Sequence, residues 1–349
     1  MRGGGGICSL FYMSKIQFIH RYEDIISVEN ILEVWGEFLR GKKSRKDVQE
    51  FQRHLMTNIL SLHQELKTRT YKHSDYEHFK ISDPKPRNIS KASVRDRLVH
   101  RLLYQSLYWY FDKRFIHDSY SCRVEKGTHK AITQFERYSR KVSNNYTKQC
   151  WVLKCDIKRF FDSVEPEILI EILRQNIQDQ EILNLIISIV YSFETRSGKG
   201  LPLGNLTSQL LVNIYMNEFD QHVKHKLKVK YYIRYADDFV FLSNNKKYLQ
   251  DILKEVELFL KNKLQLNLHP KKVSIETFSS GVDFLGWAHF PSHRTLRTVT
   301  KKRMFKKLEQ AQKEEVVQSY LGLLSHGDTE KLRIKLNETI SCFERAVIK

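Results

Sequence analysis

Read for the spacing of its apolar positions, the chain resolves into helical and extended stretches. From about Ile25 to Leu66 apolar residues recur at helical spacing, interrupted by the basic run RGKKSRK at Arg40–Lys46, which predicts helices joined by a solvated turn. The stretch ISDPKPRNIS, Ile81–Ser90, carries prolines too closely spaced for a helix interior and predicts an extended arm or a short hairpin. Ser93–Phe115 returns to helical spacing with apolar or aromatic residues on nearly every face, the pattern of a helix buried between layers. Trp151-Val152-Leu153 reads as a buried strand. Pro166 suits a first helical position, and two helices follow up to Phe193. Asn205–Leu227 predicts a long helix with Asn205 and Thr207 as capping candidates. After YYIRYADDFVFLS, Tyr231–Ser243, comes an amphipathic helix with Leu249, Leu253, Val256 and Leu260 on one face. SIETF and VDFLGWAHF predict further strands, and the tail from Lys301 is helical and basic at its start. From Trp151 the order is strand, helices, strand-turn-strand, helix, strand: an α+β fold with helices on one face of the sheet.

Composition adds a partner to this outline. The 349 residues hold 59 Lys+Arg against 40 Asp+Glu, a formal net charge of +19. Such an excess points to a polyanion, and its spread along the chain favours nucleic acid over a membrane surface. The cysteines (Cys8, Cys122, Cys150, Cys155, Cys342) are odd in number and form no CxxC pair. That predicts reduced, packed thiols in a cytoplasmic protein and excludes a zinc framework. Glu181–Phe193, the most apolar helical stretch, is too short to span a bilayer. Residues 1–13 read as a disordered leader rather than a signal peptide, with Met13 an alternative start.

The chemistry concentrates in YADD. Asp237 and Asp238 are adjacent carboxylates inside an apolar, aromatic stretch, where desolvation and mutual repulsion are both costly. Neighbours on a strand also face opposite ways. A hairpin resolves both objections if YYIRY runs up, ADD turns and FVFLS returns. Asp156, about eighty residues earlier, ends the Trp151–Leu153 strand. Carboxylates converging at strand ends of one sheet can hold two divalent ions for phosphoryl transfer, and the ions offset the repulsion.

With these residues in order, the chain from about Asp83 onward resembles the reverse transcriptases. YADD in its apolar hairpin and DIKRFFD upstream are similar to the palm. PKPRNI and DRLVHRLLYQSLYWYFDKRFIHDSYSCRVEKGTHKA resemble the fingers motifs of bacterial members. GLPLGNLTSQLLVNIYMNEFD resembles the loop and helix shaping the nucleotide pocket, LNLHPKKVSI the later lysine motif, and VDFLGW the primer-grip turn. The resemblance implies a right-hand polymerase with an antiparallel-sheet palm, mainly helical fingers and a short helical thumb. It places an N-terminal region and fingers over 14–149, the palm over 150–290 (163–200 helical, packing towards the fingers) and the thumb over 291–349.

Position by position, the resemblance makes Asp156 and Asp237 the main metal ligands with Asp238 beside them. The ions would be two Mg2+, with Mn2+ as a substitute. Phe161 falls where a bulky side chain underlies the sugar and would clash with a ribose 2′-OH, favouring dNTPs. Arg87 matches the residue holding the incoming triphosphate, a role suited to a fixed planar donor. Lys272, or its neighbour Lys271, matches the lysine near the leaving pyrophosphate. Leu203, Gly204 and Gln209 line the nucleotide loop. Asp162 reads as structural, capping the next helix. Arg97, Lys301, Lys302, Arg303, Lys306 and Lys307 are candidate contacts to nucleic-acid phosphates.

Leu203-Gly204 followed by Ser208-Gln209 departs from the PQGxxxSP form of group II intron enzymes. It resembles the reverse transcriptases of diversity-generating retroelements, as does the tail HFPSHRTLRTVTKKRM. Leucine, unlike glutamine, can neither donate nor accept a hydrogen bond beside the nascent base pair. The resemblance implies error-prone cDNA synthesis at template adenines and mutagenic retrohoming. It also implies template RNA, primer, cDNA, dNTPs and a small basic helical accessory protein as partners, and no membrane, in the cytoplasm of a bacterial, archaeal or phage-encoded system. The 59 residues after Phe290 leave room for a small thumb but not for maturase and endonuclease modules. Antiviral or other group II-like bacterial reverse transcriptases are the alternative, and a non-catalytic RNA-binding protein with a polymerase shape is a further one.

Overall fold

The computed structural model describes residues 18–82, 86–193, 198–310 and 314–347, with side chains to 338. The expected leader and second start, with Cys8, lie outside the described residues, as does the Cys342 side chain. In chain order the elements open with helices α1 (Tyr22–Ile26), α2 (Val28–Phe38), α3 (Lys46–Arg53) and α4 (Leu55–Lys67). Strands β1 (Glu77–Ile81) and β2 (Arg87–Lys91) precede α5 (Val94–Asp112) and α6 (Thr128–Val142). Strand β3 (Trp151–Asp156), α7 (Pro166–Arg174), α8 (Gln180–Val190) and α9 (Leu206–Gln221) follow. Then come β4 (Tyr232–Tyr235), β5 (Asp238–Ser243), α10 (Lys246–Leu264) and β6 (Ser274–Thr277). The chain closes with β7 (Val282–Phe284), β8 (Trp287–His289), β9 (Arg294–Leu296), α11 (Thr298–Gln310), α12 (Glu314–Leu324) and α13 (Glu330–Val347).

These elements form two compact units. The first takes the described residues of 1–115 and 164–215, the second those of 116–163 and 216–347. This division differs from the boundary expected after 149. The apolar face of α6, Ala131 and Phe135, shares one core with Val152, Ile233, Val240 and Leu242 of the sheet, so burial binds α6 to the strands.

In the first unit, α2 packs on α4 and α5, and Ile31, Val34, Ile59, Leu62, Leu98 and Leu102 of these helices are all essentially without exposure. Ser93 starts α5 by accepting from the Asp96 amide through its side chain, a cap that contributes about 1 kcal/mol. The helix is buried along most of its faces, as its pattern predicts, although Trp109 stays exposed. Pro166 opens α7 as expected. The proline-broken stretch is an antiparallel hairpin, registered from Glu77↔Lys91 to Ile81↔Arg87; Asp83, Pro84 and Lys85 fall outside the described residues.

Two capping expectations need correction. Asn205 does not cap α9: its Nδ2 donates to the Ser90 carbonyl at 3.0 Å, and its Oδ1 is buried without a partner. The Thr207 hydroxyl hydrogen-bonds the buried His100 ring instead. Asp162 is exposed, and no side chain caps α7 at its N-cap, Glu165.

The second unit is built on a four-stranded antiparallel sheet in the order β4-β5-β3-β6. Val152, Ile233, Val240 and Leu242 face α6, whereas Phe239 and Tyr232 face Phe219 of α9, which also meets Phe259 of α10. Helices therefore cover both faces, not one. The physical reason is the unbroken apolar run Phe239-Val240-Phe241-Leu242, every member of which is buried; a strand exposed on one side would alternate. A three-stranded sheet, β7-β8-β9, joins α11, α12 and α13 around Trp287, Leu296, Met304, Leu308, Leu324 and Leu336. Cys150 and Cys155 are free, buried packing groups, and Cys122 is free and exposed. Among the described residues no helix is long and apolar enough to cross a membrane.

Candidate active site

The hairpin forms where the sequence places it. Tyr235 pairs with Asp238 across a two-residue turn, Ala236-Asp237. Ala236 takes φ +55°, the left-handed geometry that tight hairpin turns demand and that disfavours a side chain. Asp238 is also the register partner of Asp156 on β3, so these carboxylates share a face. Asp237 sits in the turn, where strict alternation lapses, and its carbonyl accepts from the Ile157 amide at 3.2 Å. The adjacent acids are thereby reconciled with a buried hairpin: one lies on the strand beside Asp156, the other in the bend.

The neighbouring segment completes the sheet end. The α10 helix stops at Gln265 in a left-handed conformation, φ +49°. The chain then runs beside Asp156, with the His269 amide donating to the Asp156 carbonyl at 2.7 Å and the Lys158 amide to the Asn267 carbonyl at 2.9 Å. This delivers Lys272, whose ammonium lies 2.7 and 2.8 Å from the two Asp156 carboxylate oxygens. Of the two candidate lysines, Lys272 is therefore the one at the carboxylates.

Burial pushes the Asp238 carboxyl up to about 6. Lys154 and Arg297 pull against that rise, while Asp156 and Asp237 add to it. Asp238 Oδ1 is buried without a hydrogen-bond partner, an expensive condition for a carboxylate. Among the described residues no three His, Cys, Asp or Glu side chains are gathered as a metal site. The donors nevertheless fit a hard divalent cation by chemistry: carboxylate oxygens from adjacent positions, one of them unpartnered, with like charges opposed across the register.

Phe161 lies half-buried in a 3-10 turn, Phe160–Ser163, just beyond Asp156, its ring 5.7 Å from that of Phe160. Arg87, Leu203, Gly204 and Gln209 belong to the first unit, whereas Asp156, Phe161, Asp237, Asp238 and Lys272 belong to the second. Within the first unit, Arg87 is exposed at the start of β2, and that strand is fastened to the loop carrying Leu203. The Ser90 amide donates to the Leu203 carbonyl at 3.0 Å beside the Asn205–Ser90 bond. Leu203 and Gln209 are half-buried, and Gly204 is exposed with φ +116°.

The Arg97 guanidinium pairs with Asp47 at 2.5 Å and lies over the Phe38 ring at 5.4 Å, contacts within the helical layer that its motif position did not announce. On α11, Met304 and Leu308 turn inward. Lys302 and Lys306 are exposed, and Lys301, Arg303 and Lys307 are half-buried.

Some contacts of this region escape a reading by motif. Tyr235 shares the face of Asp238, and its hydroxyl accepts from Thr128 of α6 at 3.1 Å. Lys154, two residues before Asp156, donates to the Asp283 carbonyl at 2.7 Å. Arg234 is fully buried on β4; an arginine within an apolar strand was the available signal.

The chain belongs to the reverse transcriptase family. The family model described as Reverse transcriptase (RNA-dependent DNA polymerase) matches residues 77–289, more than half of the chain, and so takes in the hairpin, Asp156 and the Leu203–Gln209 segment. Protein YkfC of Escherichia coli K12 is 26% identical over 254 residues, covering 62% of this chain and 65% of that protein. The group II intron-encoded protein LtrA of Lactococcus lactis subsp. cremoris is 24% identical over 279 residues, 60% of this chain and 45% of LtrA. These matches span less than two thirds of either relative's length. Among solved structures, apo telomerase from Candida tropicalis aligns with a TM-score of 0.49 at 12% identity, covering 70% of this chain and 60% of that one.

Proposed function

We propose that the protein is an RNA-directed DNA polymerase whose Asp156, Asp237 and Asp238 hold two divalent ions, Mg2+ with Mn2+ as a substitute. The observation carrying this reading is the register pair Asp156↔Asp238 with Asp237 in the adjoining turn, inside the family match. Bound there, the ions would supply charge stabilisation to the attacking and leaving oxygens. The protein's own groups do the rest. Lys272, beside Asp156, serves the leaving pyrophosphate, and Arg87 grips the triphosphate as a fixed donor fork. Phe161 excludes a ribose 2′-OH. In this reading the β4-β5-β3-β6 sheet is the palm, the first unit supplies the fingers, and α11–α13 form the thumb.

The finer reading is a diversity-generating retroelement enzyme. Leu203 gives the nucleotide loop a half-buried side chain without a hydrogen-bonding group, which supports loosened selectivity at template adenines. Template RNA, primer and cDNA would be held largely through phosphates by basic groups such as Lys302 and Lys306. A small basic helical protein would complete the assembly. Primer extension on an RNA template tests the core of this. DNA synthesis from dNTPs and little product from rNTPs supports it; equal use of both, or no extension of any primed RNA, overturns it.

A further inference from the structure

Beneath the YADD turn lies a buried charged network that the polymerase reading leaves unused. Arg234, Asp220, Ser119 and Tyr232 are each essentially without solvent exposure. Arg234 Nε lies 2.8 Å from Asp220 Oδ1 and its Nη2 2.7 Å from Oδ2, a two-pronged ion pair. The Tyr232 hydroxyl donates to Asp220 Oδ1 at 2.7 Å, and Arg234 Nη2 also donates to Ser119 Oγ at 3.0 Å. The backbone is engaged too: the Arg234 amide donates to the Asp118 carbonyl at 2.9 Å, and the Tyr120 amide to the Arg234 carbonyl at 3.0 Å. The remaining prong, Nη1, donates to the Ala236 carbonyl at 3.1 Å.

Stability alone is a poor reason for this arrangement. Desolvating such a pair is costly, and well-packed apolar replacements are often neutral or better. The distinctive contact is the last one. Ala236 is the first turn residue, held at φ +55°, a conformation unfavourable for an alanine. A charge-assisted hydrogen bond to its carbonyl offsets that cost. The guanidinium thus ties the strained turn to α9 through Asp220 and to the 118–120 segment through Ser119.

We propose that Arg234, locked by Asp220, is a positioning residue that fixes the turn carrying Asp237 and so sets the placement of that carboxylate for catalysis. This rests on the polymerase reading, and the test separates the two. Three variants are compared with wild type: Arg234→Met with Asp220→Leu, which replaces the pair by apolar groups; Arg234→Lys, which keeps a charge but loses the fork; and Ser119→Ala, which trims one contact.

Hydrogen exchange of the amides at 236–238 reads positioning without any activity. Steady-state extension reads kcat and the KM for dNTP, and thermal midpoints identify folded variants. The expected result in folded Arg234 variants is at least tenfold faster exchange at the turn with α10 unchanged. It comes with a tenfold to hundredfold lower kcat and a KM for dNTP within threefold of wild type. Ser119→Ala should show a smaller change of the same kind. Wild-type exchange at the turn in Arg234→Lys and Ser119→Ala overturns the inference, as does a folded apolar pair with wild-type kcat. A wild-type protein that extends no primer would instead remove the polymerase reading, leaving the exchange data to judge the positioning.

Discussion

Replacing Gly204 by alanine probes the join between β2, which carries Arg87, and the loop that carries Leu203. An added Cβ would sit 2.8 Å from Ile89 Cγ2, and the backbone there has φ +116°. The backbone term costs about 1–3 kcal/mol for any L residue, and the overpacking against Ile89 adds about 1–3 kcal/mol. Gly204→Ala should therefore destabilise the protein by about 2–6 kcal/mol. The two parts can be separated, because Ile89→Ala removes the methyl in the way without touching the backbone. In that background the cost of Gly204→Ala should fall by about 1–2 kcal/mol, a coupling well above the additivity error. Urea unfolding followed by circular dichroism gives the four stabilities of the cycle. An identical cost in both backgrounds, or a total below about 0.5 kcal/mol, would refute the close packing of loop on hairpin.

Other expectations are more local. Phe161→Ala should raise rNTP incorporation relative to dNTP by about tenfold to a hundredfold, read by competitive primer extension; unchanged discrimination would free Phe161 from the sugar. Leu203→Gln should lower misincorporation opposite template adenine, measured by sequencing the cDNA, with other template bases affected less. Asp118 supplies a pH test. Burial works to raise its carboxyl, but hydrogen bonds from Tyr138 and His117 and the Lys224 ammonium outweigh it and hold the group below its ordinary value of 3.8. With the folded value depressed, its stabilisation is complete above the unfolded value and drains away as pH falls through the folded one. Asp118→Asn should thus lower the thermal midpoint at neutral pH and flatten its decline below about pH 4.

Much of this organisation was legible because it is local. Alternation lapsing at ADD, apolar flanks and a distant strand ending in Asp156 were enough to place a carboxylate hairpin beside a second strand. Pro166 announced a helix start through backbone chemistry that needs no tertiary context. The second helical cover was also written in Phe239–Leu242, since four consecutive apolar residues leave no face for water. What stayed hidden depends on partners far along the chain. Asn205 is a good cap by type, yet the Ser90 carbonyl claims its amide. Arg97 pairs with Asp47, fifty residues earlier, which no local pattern announces. The short strand Arg294–Leu296 has no periodicity of its own and exists because β8 pairs with it. Arg234 is an exception in a strand otherwise apolar on both faces, and its meaning appears only once Asp220 and the Ala236 carbonyl are in place.

The most direct trial of the carboxylate hairpin as a polymerase centre is the rate of dNTP incorporation on a primed RNA template in Mg2+. Wild type is compared with Asp237→Ala, each shown to be folded by its thermal midpoint. The variant should lose about a thousandfold or more of the wild-type rate while keeping its fold. A folded Asp237→Ala protein that extends primers as fast as wild type would contradict the assignment.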